Sequence, residues 1–241
     1  MRKLRSDDVF FLGMAVIAAT AIFVGFARTY FLAGLFRAPL PNVLIHIHGA
    51  VFTLWIILFI TQVSLVAGRH VALHRRLGRY GFGLAVVMVI LGVLAASDRL
   101  ARHNGEVPND TLEGARAFYV VGISAMLMFS TFTFLGYRNR NNPAVHKRLM
   151  LFATFSLIDA GFDRWPVFDP FPLWEVHLIC FVPLVLLTMA YDWWSTGRVM
   201  KVTIWSTVFL FAVQQSRPFI GRTAGWQRLA AGVETIMPAI H

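Results

Sequence analysis

The residues of this 241-residue chain best suited to chemistry are its eight histidines, of which His46, His48, His74, His146 and His177 fall at or inside long apolar runs. An imidazole can ligate a metal, relay a proton or bond a carbonyl. His103 in a polar stretch, His70 between two runs and His241 at the end read as surface groups. His48 and His177 enter their runs to a similar depth, about 7 Å at a rise of 1.5 Å per residue. His74 and His146 stand together at the opposite border. The chain thus offers an outer pair and an inner pair, each drawn from two different runs. Axial imidazoles on facing helices are how a bundle holds haem iron. Arg75, Arg76 and Arg148, with Arg79 and Lys147, flank the inner pair and would suit haem propionates. The plain alternative is that each ring bonds a backbone carbonyl or a lipid phosphate. His46 and His48 are two residues apart, about 200° of helix rotation, so they face opposite ways. His48, Trp55 and Gln62 share a face at seven-residue spacing, which favours His48 as the interior ring.

Asp159 and Asp163 lie four apart on one helix face, close to Ser156. A carboxylate there could orient a ligating imidazole, His177 for instance, or relay protons. The alternative is a helix end reaching water. Glu175, Asp169 and Asp192 stand near run ends and read as interfacial. There is no phosphate-binding Walker loop, dinucleotide fingerprint or H-E-x-x-H. Di-iron hydroxylases need histidine boxes on one side, whereas these histidines divide between two sides. The one H-x-x-x-H, His70 and His74, begins outside the runs.

Two connections echo one another: L-H-R-R-L-G at Leu73 to Gly78 and V-H-K-R-L-M at Val145 to Met150. The repeat suggests a parallel duplication of a helix pair. On these motifs, within roughly residues 46–165, the chain resembles a group of bacterial polytopic membrane proteins with the same basic histidine motifs. V-H-K-R-L-M is similar to a stretch in small membrane factors that assemble haem–copper oxidases, and H-R-x-L-G to a pattern in haem-handling membrane proteins. The resemblance implies haem b on His74 and His146, and work in or beside a respiratory chain. His48 and His177 as a second ligand pair rest on depth and chemistry alone.

The elements that must hold these residues are membrane helices. Residues of the apolar set make up 57%, mean hydropathy is +0.64 and only 14% are charged, against about 25% in soluble domains. The expected fold is all-α: one membrane domain over residues 1–241, a bundle of about seven transmembrane helices. Spans are expected near 9–27, 43–67, 80–96, 115–136, 149–163, 173–191 and 201–215; a bilayer requires about 20 residues, and the fifth run is interrupted by Asp159 while the seventh is short. No stretch alternates with a two-residue period, which argues against a barrel. The first run is read as a retained helix, because Arg28 follows it directly and it exceeds the core of a signal peptide. With the N-terminus in the cytoplasm, the inner connections carry 13 of the 22 Lys and Arg residues, which sets the N-in, C-out orientation. The net charge of +10 then reflects topology and anionic lipid, not nucleic acid. Residues 97–114 read as a solvated loop, 164–174 as a stiff interfacial segment, and LAAGVETIMPAI as a short interfacial helix. The lone Cys180 excludes an intrachain disulfide.

The expected partners are the lipid bilayer and respiratory-chain or other membrane-complex subunits, in a bacterial inner (plasma) membrane. Two functions compete. One is a haem-binding protein, either a transmembrane b-type cytochrome passing electrons or a factor handling haem for oxidase assembly. The other is a cofactor-free accessory subunit of a larger complex.

Overall fold

A computed structural model describes residues 6–36, 42–102 and 111–237. His103, His241, Arg37, most of the expected 97–114 loop and the basic residues before Ser6 lie outside them. Among the described residues every regular element is helical. They are α1 (Ser6–Phe26), which runs on through a π-turn (Ala27–Phe31), α2 (Ala33–Phe36), α3 (Val43–Ala67), α4 (Val71–Ala101), α5 (Leu112–Arg138), α6 (Pro143–Phe162), α7 (Leu173–Thr196), α8 (Lys201–Gly221) and α9 (Ala224–Ile236). A short 3-10 turn, Pro166–Phe168, precedes α7.

Five helices are long and apolar enough to cross a membrane: Ser6–Phe31, Val43–Ala67, Val71–Ala101, Leu112–Arg138 and Trp174–Thr196. Their outer faces expose large apolar side chains such as Ile57, Val86, Ile90, Leu127 and Leu186. Such faces need an apolar solvent. The other two long helices, α6 and α8, differ. α6 carries Lys147, Arg148 and Asp159, and α8 carries Gln214, Gln215 and Arg217.

The core explains how α6 tolerates charge. From Arg148 to Asp159 each of its residues is buried except Met150. α6 is packed by α5, α1, α8 and α7. Its contact with α1 is backbone on backbone. Ala18, Ala21 and Gly25 are buried along one stripe of α1. A Cβ on Gly161 would lie 2.7 Å from the Ala21 carbonyl oxygen. Small residues allow helices this close an approach when side chains have no water to escape.

The sequence also sets where helices start and stop. Asn42, Thr111, Asn142 and Thr223 cap α3, α5, α6 and α9 with side-chain oxygens that accept from the backbone N–H three residues on. Such caps satisfy orphan donors of the first turn. Gly197 ends α7 with φ 72°, the left-handed turn that glycine adopts without penalty. Arg69, between α3 and α4, takes φ 65° without that advantage.

Several boundaries depart from the apolar runs. α4 begins at Val71, not near 80, and continues to Ala101, taking up the start of the expected loop. α6 begins at Pro143 and α8 reaches Gly221. Segment 164–172 packs back on α1 through Trp165, whose indole N–H donates to the Ala21 carbonyl at 3.2 Å. The tail does form a helix, α9. It packs on α5 through Ala230, Tyr119 and Trp226, and Arg116 pairs with Glu234 at 2.6 Å.

Candidate functional site

Two polar clusters sit at opposite ends of the bundle. The near end is where α1 begins, α3 meets α4, α5 meets α6 and α7 meets α8. The far end holds the starts of α3, α5 and α7 and the ends of α6 and α8.

At the near end the two histidine motifs occupy equivalent positions. His74 is the fourth residue of α4 and His146 the fourth of α6. Their rings meet, with centroids 6.2 Å apart and planes at 82°. His146 Nδ1 lies 2.8 Å from the Gly136 carbonyl oxygen. A carbonyl only accepts, so this bond places the proton on Nδ1 and leaves Nε2 free. His74 is held by Gln62 of α3. Turned to suit its backbone neighbours, the Gln62 amide donates to His74 Nδ1 at 2.6 Å and to the His74 carbonyl at 3.2 Å, and accepts from Gly78 N at 2.9 Å. His74 then carries its proton on Nε2. The two rings present complementary tautomers.

The cations of the motifs diverge. Arg75 and Arg76 are exposed. Lys147 and Arg148 turn inward instead. Lys147 Nζ donates to Asp7 of α1 at 2.6 Å, and the Tyr191 hydroxyl of α7 donates to the same oxygen. Arg148, 1% exposed, forms an ion pair with Asp192, and its Nη1 donates to the Ala144 carbonyl at 2.7 Å. Asp192 also accepts from Met200 N at 3.1 Å and from the Thr203 hydroxyl. V-H-K-R therefore clasps four helices from one turn of α6: His146 holds α5 and meets α4, Lys147 holds α1, and Arg148 holds α7. This corrects two sequence expectations. Asp192 is buried, not interfacial, and Arg148 already has a carboxylate, so it is not placed to take a propionate.

The far end is organised differently. His48 lies against Phe52, with centroids 4.0 Å apart and planes tilted by 33°, and turns toward the Leu91 backbone of α4. Its Nδ1 is buried without a hydrogen-bond partner. His177 is buried on α7, with Nε2 3.3 Å from Asp163 Oδ1. The structure does not bring these two rings together: α3 packs on α4 and α1, whereas α7 packs on α8 and α6. The outer pair matches in depth and not in neighbourhood. Of the lesser candidates, His46 is exposed beside Tyr30, and His70 is exposed at the α3–α4 turn.

Asp159 and Asp163 both lie in this cluster, with different partners. Asp163 faces His177. Asp159 faces Arg217 of α8, whose Nη1 donates to Oδ2 at 3.0 Å, and its Oδ1 accepts from Ala160 N at 2.7 Å. Asp159 therefore does not orient His177. Arg217 Nε also donates to Ser124 of α5 at 2.8 Å. Arg217 Nη2 and both amide atoms of Gln214 are buried with no hydrogen-bond partner. Gln214, Arg217 and His177 line one cavity of about 230 Å³ between α5, α7 and α8.

Sequence reasoning missed Arg217, Gln214 and Asp192. The signal for the first two was available: Gln214 and Arg217 are i, i+3 at the end of an apolar run, which puts them on one face. Ending that run at residue 215 assigned Arg217 to the tail.

Among the described residues no cluster of three or more His, Cys, Asp or Glu side chains is arranged to hold a metal ion. A metal would rest on the two near-end imidazoles, with its remaining ligands supplied from elsewhere, as a porphyrin does. The rings fit that arrangement in separation. Two metal–nitrogen bonds of about 2.0–2.1 Å plus the ring radii give centroids roughly 6 Å apart. His146 also fits in tautomer, because a carbonyl-held Nδ1–H is the usual support of a ligating ring. His74 fits once the Gln62 amide turns its oxygen toward Nδ1.

The length and composition of the helices define the class, an α-helical membrane protein. No protein-family profile, no curated protein and no solved structure matches the chain.

Proposed function

We propose that the protein is a haem-binding membrane protein of the bacterial inner membrane, with a single haem b site on His74 and His146. In this reading all seven long helices cross the bilayer, and the near end faces the cytoplasm. The observation that supports it is the pair of perpendicular imidazoles, 6.2 Å apart, offered from the same position of two different helices. His146 would present Nε2 from a ring anchored on Gly136. His74 would present Nε2 after Gln62 gives up its bond to Gly78 N. The exposed Arg75 and Arg76 are the cations left for propionates. The bound group would supply one-electron chemistry, and the protein would use it to pass electrons or to hold haem for oxidase assembly. One site takes the place of the two expected, because His48 and His177 face different neighbours.

The test is the spectrum of protein purified from haem-supplemented cells, oxidised and then reduced with dithionite. A Soret band and a pyridine haemochrome near one haem per chain, both lost in His146→Ala and kept in His48→Ala, are the expected results. A colourless preparation overturns the reading.

A second reading, a cofactor-free accessory subunit, draws on a different observation. Lys147 and Arg148 are fully engaged in helix-to-helix ion pairs, so much of the motif serves the scaffold alone. That reading expects co-purifying partners and full function in His74→Ala.

A further inference from the structure

The end of α7 and the start of α8 carry a polar surface that the helix-to-helix bonds leave unused. Three tryptophans project there: Trp193 is 65% exposed, Trp194 70% and Trp205 71%. An indole N–H is a donor that ordinarily finds an acceptor. Those of Trp55, Trp165 and Trp226 donate to Thr154, Ala21 and Arg116. Among the described residues no protein acceptor takes the N–H of Trp193, Trp194 or Trp205. Arg198 and Lys201 lie between them in the chain, both exposed and neither paired with a carboxylate. The one carboxylate of this stretch, Asp192, is buried and already taken by Arg148, Met200 N and Thr203. The turn thus presents donors and positive charge with no acceptor of its own. Toward the middle of the bundle the adjoining faces are exposed and apolar, with Leu186 and Leu187 on α7 and Ile204 and Val208 on α8. Lys201, Trp205 and Val208 follow at helical spacing on one face of α8.

We infer that this α7–α8 turn binds the headgroup of an anionic phospholipid, with the acyl chains along the apolar faces of α7 and α8. Arg198 and Lys201 supply charge to the phosphate, and the indoles supply N–H donors at the depth where aromatic residues meet headgroups. A choline headgroup brings a third cation beside these two, with no acid to offset it, so a lipid of net negative charge is preferred. A basic turn alone attracts any anion. The α5–α6 turn, with Arg138 and Arg140 exposed and no tryptophan, is that case. The bound lipid has a structural consequence. It sits on the turn whose Met200 N and Thr203 bond Asp192, and so it braces the joint between α6 and α7. The inference uses the membrane class of the chain and not the haem site.

The experiment is native mass spectrometry of the full chain in a neutral detergent, titrated with phosphatidylglycerol and separately with phosphatidylcholine of the same acyl chains. The first phosphatidylglycerol should be retained about tenfold or more tightly than phosphatidylcholine. Arg198→Gln with Lys201→Gln should weaken that first binding about tenfold or more. Trp205→Phe, which keeps a ring and loses the N–H, should weaken it severalfold. Arg138→Gln with Arg140→Gln should leave it unchanged. Equal losses in the two double variants mean general attraction to a basic end and overturn the inference, as does equal affinity for the two lipids. Millimolar inorganic phosphate should not displace the lipid; displacement means a free-anion site and overturns the lipid assignment. The substituted side chains are exposed, so the variants keep the fold. Phosphatidylglycerol should raise the thermal midpoint of the parent and not that of the Arg198→Gln, Lys201→Gln variant; an equal rise in both overturns the bracing. Haem content is the same in parent and variants, so failure here is distinct from failure of the haem reading.

Discussion

The guanidinium of Arg148 and the carboxylate of Asp192 form the most deeply buried ion pair among the described residues, joining the start of α6 to the end of α7. Each charge is wrapped by further bonds: Arg148 donates to Ala144, and Asp192 accepts from Met200 N and Thr203. The pair therefore fixes the register of three helices at once. Removing one partner leaves the other charge buried, at a cost of about 3–5 kcal/mol. Arg148→Met should lower the unfolding midpoint in mild detergent sharply. Arg148→Met with Asp192→Leu should recover most of that loss, because a neutral pair leaves no stranded charge. Equal loss in the single and double variants would show that shape, not charge, holds this joint.

The α1–α6 contact makes a steric prediction. A Cβ at Gly161 falls within 2.7 Å of the α1 backbone, whereas one at Gly13 meets nothing within 4 Å. Gly161→Val should force the helices apart and lower the thermal midpoint by several degrees or abolish the folded species in size-exclusion chromatography. Gly13→Ala should behave as the parent.

Gln62 tests the coupling between histidine tautomer and ligand. Its amide bonds His74 Nδ1, so Gln62→Leu removes the group that orients the ring. Loss of such a supporting bond typically weakens metal affinity about 10- to 100-fold. If His74 and His146 hold haem as proposed, the expected result is faster haem loss to apomyoglobin, with the thermal midpoint of the haem-free protein little changed. Parent-like retention would remove Gln62 from the site.

At the end of α7, Gly197 has φ 72°. Gly197→Ala should destabilise by about 1 kcal/mol, the penalty for a Cβ in a left-handed turn. A chemical-denaturation midpoint measures it, and no change in ligand binding is expected, since a Cβ there meets nothing within 4 Å.

Much of this architecture can be read from the chain. The apolar runs mark the helices, and the capping residues Asn42, Thr111, Asn142 and Thr223 mark where four of them begin. The meeting of His74 and His146 is legible too, because both motifs sit at the starts of helices of the same direction. Boundaries were harder. A helix keeps its hydrogen bonds beyond its apolar part, so α4 takes in L-H-R-R-L-G-R as a polar first stretch that hydropathy assigns to a loop. Ion partners were harder still. Asp192 at a run end looks interfacial until the turn between α7 and α8 folds Thr203 and Met200 N onto it. His48 and His177 share a depth, but depth says nothing of azimuth, and azimuth decides which helix a ring faces. Arg217 needs both: its apolar run thins out at Gln214 and Gln215, so hydropathy alone leaves it outside the helix, and its partner Asp159 lies 58 residues away in the chain.

The charges of α6 have a consequence for how the chain is made. In a bilayer this helix by itself would be a poor guest, since the buried Arg148 and Asp159 find no water there. The carboxylate that neutralises Arg148 is synthesised 44 residues later, and the arginine that neutralises Asp159 later again. In the proposed arrangement, where all seven long helices cross the bilayer, biogenesis must shelter a half-built hairpin of α5 and α6 at the insertion machinery until α7 and α8 emerge. A nascent chain truncated after residue 165 should linger there, still reachable by aqueous reagents.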